Sequence, residues 1–342
     1  MGYLAKRKSE KRERIALYVL LMTIPLLTLL GAIGGTTNEQ FDFIGEFKIQ
    51  AAVLSAFLCC FCLYKGLTAV SGCFFLFALM NLCLTASHYH FSEQKSLFPP
   101  EAPQFSFLYQ DLKGADKKSD ALKDLISQHD ADLVLLTNVP VAVYEHLPEI
   151  ASGYVLQNQT TDDTGKMMLM LARSPGSARG AVNDTDALWV SRIVGERKLT
   201  VVLSVLDNPW EGDYVPCVEK MKRIADFVGT RNEPVLLIGS FKASDWSRLT
   251  ADLKDTAKLL LKEPLSFSYP ANVLSFMRRP AASIYAHPGI DVQDIHILDD
   301  LDLNTQGRSA VVKMAPLKKE VRFYELQPTV DEKILLKQNS GK

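Results

Sequence analysis

The chain has 342 residues, 47% of them hydrophobic and 23% charged, with a formal net charge of −1. Those proportions are ordinary for a globular protein and exclude a collagen, a disordered tail and a small disulfide scaffold. The length suits about two domains, and without a basic domain a nucleic-acid binder driven by phosphate attraction is not expected.

The charge is unevenly spread. Residues 1–14 carry Lys6, Arg7, Lys8, Lys11, Arg12 and Arg14 against two glutamates. An apolar run then covers residues 15–33, interrupted by Thr23, Pro25 and Thr28. As a helix it would be roughly 28 Å long, close to the hydrocarbon thickness of a bilayer. Two more apolar runs cover residues 49–64 and 67–86, separated by Lys65-Gly66. One helix through both would be too long for a single crossing, so the pattern predicts a hairpin and three spans within 15–87. The basic N-terminus belongs in the cytoplasm. The 35–48 loop, with Glu39, Asp42 and Glu46, then lies on the far side, Lys65 returns to the cytoplasm, and residues 88–342 are extracytoplasmic. The expected location is a multi-pass position in a cell membrane, a bacterial inner membrane with the C-terminal domain in the periplasm. A cleaved signal peptide fits less well, because the apolar stretch is long, no A-x-A site follows it, and two more spans come after. Myristoylation fails where Lys6 stands in place of Ser or Thr.

Five of the six cysteines, Cys59, Cys60, Cys62, Cys73 and Cys83, fall in the apolar part and read as small packing residues. Cys217 has no second cysteine to pair with in the C-terminal part. His88 and His90 form a short pair without a third ligand and read as interfacial. Asn81, Ser71 and Gly72 suit helix–helix packing. The sequons at Asn158 and Asn183 have meaning only in a host that glycosylates exported proteins.

Residues 88–103 read as a linker stiffened by Pro99, Pro100 and Pro103. After it, strand and helix patterns alternate. Strands are predicted over 105–109, 132–137, 167–171, 199–206, 234–238 (ended by Gly239), 282–286, 292–298 and 309–314. Helices are predicted over 119–129, 214–228 and 245–253, the first with Leu122, Leu125, Ile126 and His129 on one face. The polar 174–186 segment reads as a mobile loop, and Trp210 as packing against the helix after it. About eleven strands with fewer helices predict two packed sheets with helices outside. Residues 315–342 form a C-terminal extension, with one more strand expected over 321–326.

The order of these pieces resembles the endonuclease/exonuclease/phosphatase family, the deoxyribonuclease I-like hydrolases, over about 104–314. SDALKDLISQHDADLVLLTNVP is similar to that family's helix and buried strand ending in Gln-Glu-Val. MMLMLARSP resembles its Ala-Leu-Ser-Arg-Pro strand end, and LTVVLSVLDNP the strand that ends in a catalytic histidine. EPVLLIGSFKASDWS resembles the Gly-Asp-Phe-Asn signature with the Trp-Ser pair of membrane-anchored members. FSYP, SIYAHPGI and QGRSAVV stand where Thr-Tyr-Pro, an aspartate strand and Ser-Asp-His-x-x-Val are expected. The resemblance implies a four-layer α/β sandwich preceded by three transmembrane helices. In active relatives a Mg²⁺ site on carboxylates and a His–Asp pair lie between the two sheets.

The same resemblance puts substitutions at every chemical position. Gln110 replaces the first-strand asparagine, and Asn138 the metal-binding glutamate. Ser204 replaces the phosphate-binding histidine, and Ser240 and Lys242 the Asp and Asn of the signature. Ala282 stands for the next aspartate, and Gly307 and Arg308 for the terminal Asp-His pair. Four carboxylates are thereby lost. A cation about 4 Å from a divalent ion would oppose it by roughly 8 kcal/mol at an effective dielectric near 20. No catalytic residue, metal site or cofactor is therefore expected. The leading expectation is a membrane-anchored pseudoenzyme acting as an extracytoplasmic binding or scaffolding subunit, with a protein partner or a larger membrane complex around it. Two alternatives stand beside it. One is a metal-free anion site on Lys242 and Arg308, with Gln110 and Asn138 as polar groups. The other is a divergent Mg-dependent phosphoesterase using Asp111 or Asp245, although Asp245 reads more readily as a helix cap. Asp291, Asp294 and His296 read as surface residues.

Overall fold

The computed structural model describes residues 39–314 and scattered positions between 15 and 30. Within 39–314 it leaves out 87, 89–97, 100, 116–117, 162–164, 213, 265–266, 271–273, 275–277, 282, 299–300, 302 and 304–305. The basic N-terminus, most of the first expected span, most of the linker, Ala282 and the 315–342 extension therefore lie outside the described residues.

Three helices come first: α1 Glu39–Gly45, α2 Lys48–Tyr64 and α3 Thr68–Ala86. Helix α3 is the one described helix that is by itself long and apolar enough to cross a membrane. Helices α1 and α2 pass the same test only as a pair, bent by 57°. Helices α2 and α3 form the expected hairpin, turned by Gly66 at φ 73°. Leu58, Cys62 and Phe74 are buried in its seam, where the Ser71 hydroxyl donates to the Cys59 carbonyl at 3.1 Å. Its outer face leaves Phe57 68% and Phe75 58% exposed, a surface that suits lipid better than water.

Fourteen strands follow among the described residues. One mixed sheet has the order β13-β14-β1-β2-β4-β3, formed by Ile290–Leu298, Gly307–Met314, Gln104–Asp111, Leu133–Val139, Met167–Ala172 and Val155–Thr161. The other has the order β5-β6-β7-β8-β12-β9, formed by Ala178–Ala181, Leu188–Val194, Arg197–Val205, Val235–Ser240, Ile284–Ala286 and Leu260–Leu261. Strands β10, Phe267–Tyr269, and β11, Arg279–Pro280, pair separately.

The two-residue period of a strand sorts these side chains into layers. Phe105, Phe107 and Tyr109 of β1, Leu133 and Leu135 of β2, Leu199, Val201 and Leu203 of β7, and Leu236 and Ile238 of β8 fill the space between the sheets. The alternate residues face outward. Leu108, Val134 and Leu136 meet helix α4, Ser119–His129, together with the short helices α5, Val141–Glu145, and α6, Leu147–Ile150. Val202, Val235 and Leu237 meet α7, Tyr214–Gly229, and α8, Arg248–Asp255. The result is the expected four-layer sandwich of two sheets between helices.

Several expectations need correction. Gly239 does not end β8; it lies inside the strand, paired with Ser204 of β7, where a Cβ would come within 1.7 Å of the Ser204 carbonyl oxygen. Only a residue without a side chain lets the two strands meet there. The helix expected from Asp245 starts at Arg248, and Ser247 caps it by accepting from the Leu249 N–H. The 174–186 segment contains β5, and β6 after it was not foreseen. Trp210 does pack on Tyr214 of α7, at 5.5 Å between ring centroids, and it also packs on Phe43 of α1 at 5.3 Å. Asp291 is 1% exposed rather than a surface residue, whereas Asp294 and His296 are exposed.

Candidate active site and the helix–loop latch

Two parallel strand pairs bring the candidate residues together. In β1 and β2, Gln110 lies beside Leu136 and Asp111 beside Thr137, one residue before Asn138. In β7 and β8, Ser204 lies beside Gly239 and Val205 beside Ser240. Strand β14 starts at Gly307 and Arg308, with Arg308 opposite Tyr109. Seven of the eight sequence-predicted positions thus stand at strand ends of the two facing sheets, and Ala282 lies outside the described residues.

The charged groups among them, and the Asn138 amide, are occupied by the protein itself. The Asn138 side-chain amide donates to Asp111 Oδ1 at 2.6 Å, and the Lys113 N–H reaches the same oxygen at 3.2 Å. Lys242 is 2% exposed, and its ammonium donates to the Leu206 carbonyl. Burial lowers the Lys242 pKa, against the pull of Asp111. Lys242 also holds left-handed backbone at φ 51°, which a non-glycine residue keeps only when its surroundings fix it. Arg308 is 1% exposed, and its Nε pairs with Glu263 Oε2 at 3.1 Å. Its Nη1 donates to the carbonyls of Gln306 and Gly307. Burial raises the Glu263 pKa even though Arg308 opposes it. Glu263 follows β9 and Arg308 opens β14, so this ion pair ties one sheet to the other. The sequence reading had assigned Glu263 no role.

Gln110 and Gly307 interlock. A Cβ at Gly307 would lie 2.0 Å from Gln110 Oε1 and 2.9 Å from the Tyr109 carbonyl oxygen. Gly307→Ala should therefore cost about 1–3 kcal/mol through overpacking. Gln110→Ala in the same chain removes the side-chain contact but leaves the Tyr109 carbonyl in place, so it should recover only part of that loss, as read by thermal melts of the single and double variants.

Two small cavities touch these residues among the described ones. One of about 10 Å³ borders Asn138, Lys166 and Val205, and another of about 10 Å³ borders Tyr109, Ser240, Ser283 and Arg308. Each has room for about one water. Gln110 Oε1 and Ser204 Oγ are buried without a hydrogen-bond partner among the described residues. These are neutral oxygens that suit water, whereas Mg²⁺ prefers charged oxygen ligands. Asp111 Oδ1 already accepts two hydrogen bonds, and Lys242 and Arg308 supply positive charge beside that carboxylate. The residues present do not fit a divalent ion. Among the described residues, no cluster of three His, Cys, Asp or Glu side chains could hold a metal elsewhere.

The loop after β8 has a different occupation. Asp42 of α1 accepts from the Ser247 hydroxyl at 2.7 Å, the Tyr214 hydroxyl at 2.9 Å and the Arg248 N–H at 3.1 Å. Glu46 accepts from the Ser244 N–H at 3.0 Å and its hydroxyl at 2.8 Å. The Trp246 indole donates to the Gly45 carbonyl at 2.9 Å, and the Lys48 ammonium lies 5.6 Å from the Trp246 ring. From the other end of the hairpin, His88 Nδ1 meets Asp245 Oδ2 at 2.8 Å. Tyr285 donates to Asp245 Oδ1 at 2.8 Å. Burial pushes the Asp245 carboxyl up, but His88, Lys254 and Tyr285 together hold it below the ordinary aspartate value. Both carboxylates offered by sequence as relocated catalytic groups are thus engaged, Asp111 by Asn138 and Asp245 by the latch.

Solved structures share this arrangement of sheets and helices. An endonuclease/exonuclease/phosphatase from Bacteroides vulgatus superposes with a TM-score of 0.50 at 13% identity, over 62% of this chain and 99% of that one. A humanized D. rerio TDP2 gives a TM-score of 0.50 at 13% identity, over 62% and 99%. The domain has the endonuclease/exonuclease/phosphatase fold. A functionally unknown conserved protein from Enterococcus faecalis shares that fold at a TM-score of 0.51 and 15% identity, over 61% of this chain and 100% of its own. No family model and no curated protein matches the sequence. In this fold the candidate residues occupy the strand ends between the sheets. The latch loop is the segment that follows β8.

Proposed function

We propose that this chain is a membrane-anchored pseudoenzyme, whose endonuclease/exonuclease/phosphatase-fold domain serves as an extracytoplasmic binding or scaffolding module. One observation carries the reading: the charged groups at the strand ends are spent on internal structure, Arg308 on Glu263 and Lys242 on the Leu206 carbonyl. Neither guanidinium nor ammonium is left in the geometry that a scissile phosphate would need, so the anion-site alternative gains no support from their positions.

The latch supports the hairpin topology. Helix α1, Gln50 near the start of α2, and His88 just after α3 all meet the domain, and the Gln50 amide reaches the Arg278 carbonyl at 2.6 Å. The Lys65 turn lies at the opposite end of the same two helices. On this reading the domain sits on the side away from Lys65 and the basic N-terminus, which is the extracytoplasmic side.

The test is hydrolysis of phosphodiester and phosphomonoester substrates by the purified full chain in detergent, with and without Mg²⁺ or Mn²⁺. The expected result is no metal-dependent turnover. Turnover that requires the metal and disappears on chelation would overturn the pseudoenzyme reading. An Asn138→Glu, Ser240→Asp chain run beside it reports whether two carboxylates suffice to regain any metal response.

A further inference from the structure

A second concavity lies away from both the strand ends and the latch. It is an open cleft of about 540 Å³ between the β5–β6 turn and the C-terminal part of α7. That volume falls within the roughly 300–1,000 Å³ of ordinary binding pockets. Its floor is aromatic. Trp189 of β6 and Phe227 of α7 lie 6.0 Å apart, and the Arg231 guanidinium sits over both rings, 4.4 Å from Trp189 and 4.2 Å from Phe227. Arg223 lies exposed at the rim, held by one Nη1 bond of 2.8 Å to the Asp184 carbonyl. Arg231 has a loose ion pair with Glu233 at 3.7 Å.

A guanidinium has five N–H donors in a fixed fork. Each of these arginines uses one nitrogen in the contacts just described, and their fork geometry matches a carboxylate. Trp and Arg are also enriched among the residues that dominate binding energy at protein interfaces, and Phe is enriched in interface cores. Asp184 and Asp226 stand on the rim as well, and would oppose a continuous polyanion such as nucleic acid. The net charge of residues 101–342, with 29 basic and 33 acidic side chains, points the same way. Position matters too. Tyr214, at the start of α7, is bonded to Asp42 in the latch. Arg223 and Phe227 come 9 and 13 residues later along the same helix, roughly 14–20 Å further from the latch. The cleft therefore lies that far along α7 from the contact with α1.

We propose that this cleft docks a peptide segment of a protein partner, with an Asp or Glu carboxylate on Arg223 and on Arg231, whose guanidinium is held in place by its stack on Trp189 and Phe227. It rests on the reading of the domain as a binding module, but not on the silence of the strand-end site. A hydrolysis result and a docking result can therefore fail separately.

The experiment places a photocrosslinking p-benzoylphenylalanine at Thr230, on the cleft rim, in the full chain in native membranes. A second chain carries it at Ile193, which is 68% exposed outside the cleft. Adducts are digested and the joined peptide sequenced. The expected adduct at Thr230 is a peptide with Asp or Glu within a few residues of the crosslink, formed well above the Ile193 background. Arg223→Ala and Arg231→Ala should each reduce its yield by about 10-fold or more, the scale of an interface hot spot. Arg231→Lys, which keeps the charge and loses the planar stack, should reduce it less than Arg231→Ala. Adducts to lipid alone, yields no higher than at Ile193, or an acidic adduct indifferent to both arginines would overturn the proposal. Thermal melts of the variants separate lost docking from lost folding.

Discussion

Arg308→Ala is expected to destabilise the domain by roughly 3–5 kcal/mol, because it leaves the Glu263 carboxylate buried and unpaired. Glu263 is 5% exposed, and its remaining partners include the Ser283 N–H. At roughly 2–4 °C per kcal/mol for a domain of this size, the melting temperature should fall by about 10 °C. The loss should depend on pH. Burial already raises the Glu263 carboxyl above its ordinary value, and without Arg308 nothing of comparable charge holds it down. A carboxyl whose folded pKa is raised binds its proton more tightly in the folded state. Its contribution is most favourable at low pH and is lost as pH rises through the folded value. The Arg308→Ala defect should therefore shrink in acid and grow towards neutral pH. Replacing both partners, Arg308→Met with Glu263→Leu, should recover most of the stability, since an apolar pair carries no desolvation cost. A single variant that melts like the native chain at pH 7 would show that the pair does not join the sheets.

The second large effect is expected at the latch. Asp42→Ala orphans three donors, and Glu46→Ala orphans the Ser244 N–H and hydroxyl. Each buried donor left without a partner costs about 1–3 kcal/mol. The double variant should leave the domain folded but loosened from the helices. The sensitive readout is amide exchange in residues 241–248, which should quicken by about 100-fold or more, while β1, β2, β7 and β8 keep their protection. Acid should weaken the His88–Asp245 contact in particular, whereas burial raises the Asp42 carboxyl, so its contribution runs the other way as pH falls. The Asp245 carboxyl is held below its ordinary value of 3.8. Its stabilisation is present above that pH and is lost as pH falls through the lower folded value. Unchanged exchange in 241–248 in the Asp42→Ala, Glu46→Ala chain would mean that the domain is held by other contacts.

The core of this fold was legible because buried strands leave continuous apolar runs. LVLL in β2, VVL in β7 and VLLI in β8 face apolar layers on both sides, and each was found within a residue or two. The helix over 119–129 was found to the residue. Strand β6, LWVSRIV, escaped because Ser191 and Arg192 break its apolar run. Ser191 bonds to Thr200 between the strands, and Arg192 reaches outward to Ser174. Strand β8 was cut short because Gly239 reads as a stop in sequence, whereas in space it is the point of closest approach to β7. The substitutions at the strand ends were legible as identities but not as interactions. The resemblance sets Arg308 where that family has a histidine. It does not show that Arg308 pairs with Glu263, 45 residues away, because no spacing rule joins two loops that meet only when the sheets pack. The latch was hidden for the same reason. Asp42 and Glu46 look like loop acids beside an apolar helix, and their partners lie about 200 residues further along the chain.

The interlock of Gln110 with Gly307 constrains the order in which the strand-end site could be rebuilt. An aspartate placed at 307 meets the Gln110 amide before it meets anything it could serve, so that change made first is penalised. Gln110 must be shortened beforehand, and that step by itself opens a buried gap and brings no chemistry. A side chain at 307 also meets the Tyr109 carbonyl oxygen at 2.9 Å, a backbone contact that shortening Gln110 leaves in place. Paired variation at 110 and 307 therefore eases the site without freeing it, and a carboxylate there asks the β1 backbone to shift as well.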